Sequence, residues 1–100
     1  MKIKLNGLFE QDIENGFETQ KEYEVNKVEI SGDYCAYDVW YYITNEKGNT
    51  TCFQDLMVEE VGIDDRIEKF VANFNDFLTF NNSDLPYKFE FKIDLESEEV

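Results

Sequence analysis

The run from Tyr34 to Phe53 restricts the fold more than any other part of this chain. Tyr34-Cys35-Ala36-Tyr37-Asp38-Val39-Trp40-Tyr41-Tyr42-Ile43-Thr44 is rich in aromatic and β-branched residues, which suit a pleated, half-buried surface. Asn45-Glu46-Lys47-Gly48-Asn49 follows, and then Thr50-Thr51-Cys52-Phe53. Asn45 to Gly48 suits a type I turn with Gly48 in the left-handed conformation of a bulge. The reading is a β-hairpin in which Asn45 pairs with Asn49, Thr44 with Thr50, Ile43 with Thr51, Tyr42 with Cys52 and Tyr41 with Phe53. Side chains alternate along a strand. Cys35, Tyr37, Val39, Tyr41, Ile43 and Phe53 then share the core face, and Asp38, Trp40, Tyr42, Cys52 and Gln54 the other. Trp40 and Tyr42 are expected to pack under another element, the alternative being a binding face.

Around this hairpin the remaining patterns are those of a sheet with one helix. Met1 to Leu5 alternates, with Ile3 and Leu5 on one side, and reads as a short strand. Leu8 to Asn15 fits a short helix lined by Leu8, Phe9 and Ile13 and stopped at Gly16, or an irregular turn; Asn15-Gly16 as a hairpin turn is the alternative. Tyr23 and Val25 are out of phase with Val28 and Ile30, so a bulge is expected near Asn26-Lys27. Gly32-Asp33 reads as a two-residue turn. A meander of strands near 21–31, 34–44 and 50–57 results, followed by a break from Glu59 to Asp65. Asp64 suits a helix N-cap. From Asp65 the apolar spacing becomes helical: Ile67, Phe70, Val71, Phe74, Phe77 and Leu78 form one stripe, expected to lie on the Tyr41/Phe53 face. Asn81-Asn82-Ser83-Asp84 ends the helix, and Pro86 blocks its continuation. Tyr87, Phe89, Phe91, Ile93 and Leu95 then alternate with charged residues as a last strand. The fold class is a single α+β domain over 1–100: an antiparallel sheet, meander plus C-terminal strand, with one long amphipathic helix packed on one face.

Charge is the outlying number. Twenty-three acids against nine bases leave −14, a self-repulsion that lowers folded stability. Solubility, a high-salt habitat and a basic partner are the available reasons. No long basic patch is present, so direct binding to DNA or RNA is not expected. The chain has no His, which removes the commonest general base and metal ligand. Cys35 and Cys52 lack metal-ligand spacing and lie on opposite hairpin faces, so two free thiols and a reducing cytosol are expected. Lys2 and Lys4 are not followed by an apolar run, so no signal peptide is read, and no stretch reaches membrane-spanning length. Acid pairs such as Asp64-Asp65 and Glu59-Glu60 match no calcium-loop spacing. There is no phosphate-cradling loop or nucleophile elbow. No enzyme, metal or cofactor is expected.

Distributed carboxylates on a rigid frame imitate the spaced phosphates of a duplex and attract a basic groove over long range. The run Ile67-Glu68-Lys69-Phe70, with Val71, Ala72 and Phe74 after it, resembles a helix of the small acidic phage inhibitors of CRISPR effectors. The chain is most similar to the type II-A anti-CRISPR proteins, which share its size, acidity and α+β build. It departs from them where a strand, Tyr87 to Leu95, follows the helix. The resemblance implies a DNA mimic that occupies the DNA- or PAM-binding groove of an effector nuclease in the bacterial cytoplasm. The expected partner contacts are Glu59, Glu60, Asp64 and Asp65 in the loop before the helix, and Glu68 and Asp76 on its exposed side. The alternatives are an immunity protein that neutralises a basic nuclease toxin, and a self-associating subunit that uses the Trp40/Tyr42 face or the Tyr87–Leu95 edge. A hydrolase is the last alternative and needs two carboxylates converging in a pocket.

Overall fold

The computed structural model describes residues 1–33, 36–62, 65–81 and 88–95. In chain order the elements are β1 (Lys2–Leu5), α1 (Glu10–Glu14), β2 (Glu22–Gly32), β3 (Tyr37–Thr44), β4 (Thr50–Gln54), a 3-10 turn (Asp55–Met57), β5 (Val58–Gly62), α2 (Asp65–Asn81) and β6 (Phe89–Asp94). The strands form an antiparallel sheet with the one long helix, α2, packed against it, an α+β fold.

The β3–β4 hairpin has the register read from its turn chemistry: Tyr41 opposes Phe53, Tyr42 opposes Cys52, Ile43 opposes Thr51 and Thr44 opposes Thr50. Gly48 has φ +85°, a conformation that only glycine adopts at no steric cost. The Asn45 N–H donates to the Asn49 carbonyl at 3.0 Å, and the Gly48 N–H to the Asn45 carbonyl at 3.0 Å. The Asn45 side chain adds a second layer. Its Oδ1 accepts the N–H groups of Lys47 and Asn49, and its amide donates to the Asn15 carbonyl at 2.8 Å. The hairpin tip is thereby tied to the end of α1.

β2 is the spine. Its first residues pair with β1, and the stretch from Lys27 to Gly32 pairs with β6. β3 runs along it from Val25 to Gly32, with the expected register shift between Val25 and Lys27. The shift turns both apolar pairs inward: Tyr23, Val25, Val28 and Ile30 are all buried.

Gly32-Asp33 is not a two-residue turn. Gly32 is still in the ladder, opposite Tyr37, and the connection runs from Asp33 to Ala36. The Asp33 N–H donates to the Ala36 carbonyl at 2.9 Å, and Asp33 Oδ1 accepts the Ala36 N–H at 3.2 Å. Glycine is required here for close approach: a Cβ on Gly32 would lie 2.3 Å from the Ala36 carbonyl oxygen. The sequence signal is the same for both roles.

A second correction concerns residues 55–62. The expected strand to 57 stops at Gln54, and the expected break holds β5, which pairs with β1 through Leu5–Val58, Lys4–Glu59 and Ile3–Glu60. Pairing across the sheet outweighs the weak local preference of Glu for strand. β5 also forces curvature. The strand order is β4-β3-β2-β1-β5, which in a flat sheet puts β4 and β5 about 19 Å apart at roughly 4.8 Å per strand. The three-residue 3-10 turn between them rises only about 2 Å per residue. The sheet therefore curls, and its concave side holds the core.

Ile3, Leu5 and Ile43 are fully buried there, with Phe17, Tyr23, Val25, Val28, Tyr41, Phe53 and Ile67 around them. Phe17 meets Phe53 edge-on with ring centroids 5.6 Å apart. α2 contributes Ile67 to this cluster, on the face expected. Further along, Phe74 lies 5.4 Å from Phe91 and 5.0 Å from Tyr37 between ring centroids, and Phe77 lies 4.8 Å from Phe91. The body of the helix thus leans toward β6. α1 forms as a single short helix ending before Gly16, but Phe9 and Ile13 do not line a packed face; both are well exposed. Tyr34, Cys35, Pro86 and Tyr87, and the residues after Leu95, lie outside the described residues.

Candidate functional site

The six predicted contact residues do not form one patch. Glu59 and Glu60 are consecutive on β5, so their side chains leave opposite faces of the sheet. Glu60 shares the concave face with its partner Ile3, whereas Glu59 shares the convex face with Lys4. Asp64 lies outside the described residues. Asp65, Glu68 and Asp76 are all exposed on α2. At about 100° per residue they fall within an arc of roughly 80°, spread over about 16 Å of helix axis. They are the part of the predicted set that is presented together.

Glu60 has a specific role. Its Oε1 accepts the Tyr41 hydroxyl at 2.7 Å, a bond from β3 to β5 across the curled sheet. Tyr41 is 6 % exposed. Burial, reinforced by the Glu60 carboxylate, pushes its phenol well above the usual tyrosine range. Nothing in the local sequence signals this pair; only the curl of the sheet brings it together.

A cleft of about 510 Å³ opens between α2 and the sheet because the helix leans toward β6. Val28, Ile30, Val39, Tyr41, Ile67 and Val71 are among its apolar walls, and Glu60 and Glu68 add carboxylates. Among the described residues no Lys or Arg lines it. On the other flank of α2, a smaller hollow is lined by Arg66, Lys69 and Lys92, together with Asp94. The helix therefore divides an acidic, apolar flank from one that carries bases.

Trp40 and Tyr42 lie on the convex face, opposite the one that α2 packs against, and both are half-buried. Tyr42 donates its hydroxyl to Glu29 at 3.2 Å and carries the Lys27 ammonium 4.3 Å from its ring centroid. Burial, then the neighbouring Cys52 and Glu29, raises its phenol. Trp40 sits between its cross-strand partners Glu29 and Gln54, and Gln54 donates to Asp38 at 3.3 Å. Charges on this face alternate in sign across the ladder: Lys2 opposes Glu24, Lys4 opposes Glu22 and Glu59, Lys92 opposes Glu29, and Lys27 opposes Asp94. Opposite charges on cross-strand neighbours stabilise the sheet; with Asp38 and Glu90 on the same face, four bases stand against seven acids.

Cys52 is a free thiol, and Cys35 lies outside the described residues. Among the described residues no three His, Cys, Asp or Glu side chains are grouped as a metal ion would need. No described helix is long and apolar enough to cross a membrane. No family model, curated protein or solved structure matches this chain.

Proposed function

We propose that this chain is a non-enzymatic, acidic inhibitor that binds the basic nucleic-acid groove of a defence nuclease, as a phage-encoded DNA mimic directed at a CRISPR effector would. The observation that carries the proposal is the distribution of charge. The net charge is −14; on the convex face four bases interleave with seven acids, so that face carries the smaller part of it. Most of the field therefore comes from the rest of the surface, including Asp65, Glu68 and Asp76 on α2. A field of that size steers a basic partner at long range.

Magnitude decides how the mimicry works. A duplex carries one negative charge per about 1.7 Å of axis. Asp65, Glu68 and Asp76 supply three over about 16 Å of helix, a several-fold lower density. α2 alone is too sparse to replace a duplex, so the mimicry requires carboxylates from further elements beside those of α2. Glu60 and Glu68 share the cleft, as a hydrolase reading would ask. Glu60 is already engaged by Tyr41, and most of the wall is aliphatic or aromatic. That lining favours an apolar guest over a polar reaction.

The test is cleavage of a guide-matched DNA duplex by a purified type II-A effector with its guide RNA, with and without this protein. Inhibition is expected at low salt, weakening as salt rises, and relieved by competing duplex. D65N/E68Q/D76N is expected to weaken inhibition and flatten its salt dependence. The reading fails if cleavage is unaffected at micromolar protein and no basic, salt-releasable partner is retained from a bacterial lysate.

A further inference from the structure

We infer that the cleft between α2 and the sheet seats a bulky apolar side chain of a basic protein segment, with flanking Lys or Arg held by Glu60 and Glu68. The inference rests on the acidic-inhibitor reading and names the contact that would add specificity to its electrostatics. At about 510 Å³, the cleft falls within the roughly 300–1,000 Å³ typical of ligand sites. It keeps apolar surface in water: Tyr37 is 47 % and Val71 43 % exposed at its mouth, although Val71 belongs to the apolar stripe of α2. A few anchor residues seated in desolvated pockets carry most of the binding energy of an interface.

The charge of the cleft selects the guest. With Glu60 and Glu68 as its charged lining and no described base among its walls, it disfavours a phosphate, a fatty acid or an acidic peptide. On the opposite flank of α2 the bases Arg66, Lys69 and Lys92 stand beside Asp94, and Lys92 pairs with Glu90, so the cleft is the flank that favours a cationic segment. The Tyr41 hydroxyl donates to Glu60 and so orients that carboxylate at the cleft. An extended segment with a bulky apolar residue and basic residues two positions to either side of it satisfies both parts of the site at once, since side chains two residues apart point to the same side of the backbone.

The probes are two acetylated, amidated octapeptides of Ser carrying Arg, Leu and Arg at successive alternate positions (the Leu–Arg peptide), or the same sequence with that Leu replaced by Ser (the Ser–Arg peptide). Binding is followed by methyl and amide NMR of the whole protein. The Leu–Arg peptide is expected to shift the Val28, Ile30, Val39 and Val71 methyls and to bind more tightly than the Ser–Arg peptide. Val71→Asn, at a solvent-exposed position that tolerates the change, is expected to weaken the Leu–Arg peptide roughly tenfold. Glu68→Gln is expected to weaken both peptides by about two- to threefold. The inference is overturned if the two peptides bind equally, if Val71→Asn leaves the Leu–Arg affinity unchanged, or if no cleft methyl moves at millimolar peptide. Such a result alongside intact effector inhibition would remove the cleft and leave the acidic inhibitor standing. Cleft binding without effector inhibition would remove the nuclease partner and keep the site.

Discussion

Replacing Phe74 by Ala would test whether α2 is fixed in the position that creates the cleft. Phe74 is 3 % exposed, and its ring lies 5.0 Å from Tyr37, 5.4 Å from Phe91, 6.1 Å from Phe89 and 6.2 Å from Phe77. A buried Phe withdraws about 150–250 Å² from water, and at about 25 cal/mol per Å² that is an upper bound near 4–6 kcal/mol. Phe→Ala changes in cores cost about 3–5 kcal/mol, so about 4 kcal/mol is expected. That is a large share of the about 5–15 kcal/mol that holds a domain folded, and it lowers the melting temperature by about 20 °C for a chain of this length. Urea unfolding followed by circular dichroism measures it directly. Phe80→Ala is the control: Phe80 is on the same helix but 90 % exposed, and its loss should change stability by no more than about 0.5 kcal/mol. A loss below about 1.5 kcal/mol at Phe74, or an equal loss at Phe80, would refute the argument. α2 would then not be held by its aromatic cluster, and the cleft would have no fixed wall.

Tyr41→Phe removes the bond to Glu60 and is expected to cost about 1 kcal/mol at neutral pH. It should also change the alkaline limit. The Tyr41 phenol is raised above its ordinary value of 10.0 in the folded protein, so the folded state keeps its proton where the unfolded state has lost it. Its contribution is therefore complete below pH 10 and declines above it, by about 1.4 kcal/mol per pH unit. The variant should show a shallower loss of stability in urea titrations above pH 10, and an unchanged slope would contradict the burial of Tyr41. Gly32→Ala should destabilise by about 2–3 kcal/mol because its Cβ meets backbone. Gly48→Ala should cost only about 1 kcal/mol, because it strains φ but meets open space; thermal melts in the reverse order would contradict the assigned connection. Asn45→Ala should cost about 2–3 kcal/mol and abolish hydrogen-exchange protection at the Lys47 and Asn49 amides. Asn45→Asp keeps the two acceptor contacts, so protection should survive it; if protection vanishes there too, the side-chain oxygen is not the acceptor.

What was legible in the chain followed from short-range periodicity. The apolar spacing of Ile67, Phe70, Phe74 and Phe77 specifies α2, and Asn45 to Gly48 specifies the register of β3 on β4. The phase break at Asn26-Lys27 locates the bulge in β2. β5 carries no strand signal in the sequence because it has no apolar alternation: Val58 and Glu60 face inward together, and the hydroxyl of the buried Tyr41 satisfies Glu60. Phe9 and Ile13 show the converse, apolar residues that the fold leaves in water. The predicted acids cluster in the sequence, yet consecutive residues on a strand diverge, which separates Glu59 from Glu60.

By itself, then, the sequence determined the composition of the surface field, the helix, the central hairpin and the alternating faces of the strands. These depend on periods of two and 3.6 residues, which adjacent residues encode. Only the tertiary structure decided that β5 closes on β1, that Tyr41 reaches Glu60, and that α2 leans toward β6 with a cleft at its acidic flank. Those outcomes depend on pairings between segments far apart in the chain. They are selected by the collective packing of the core, and no local stretch of residues carries that information.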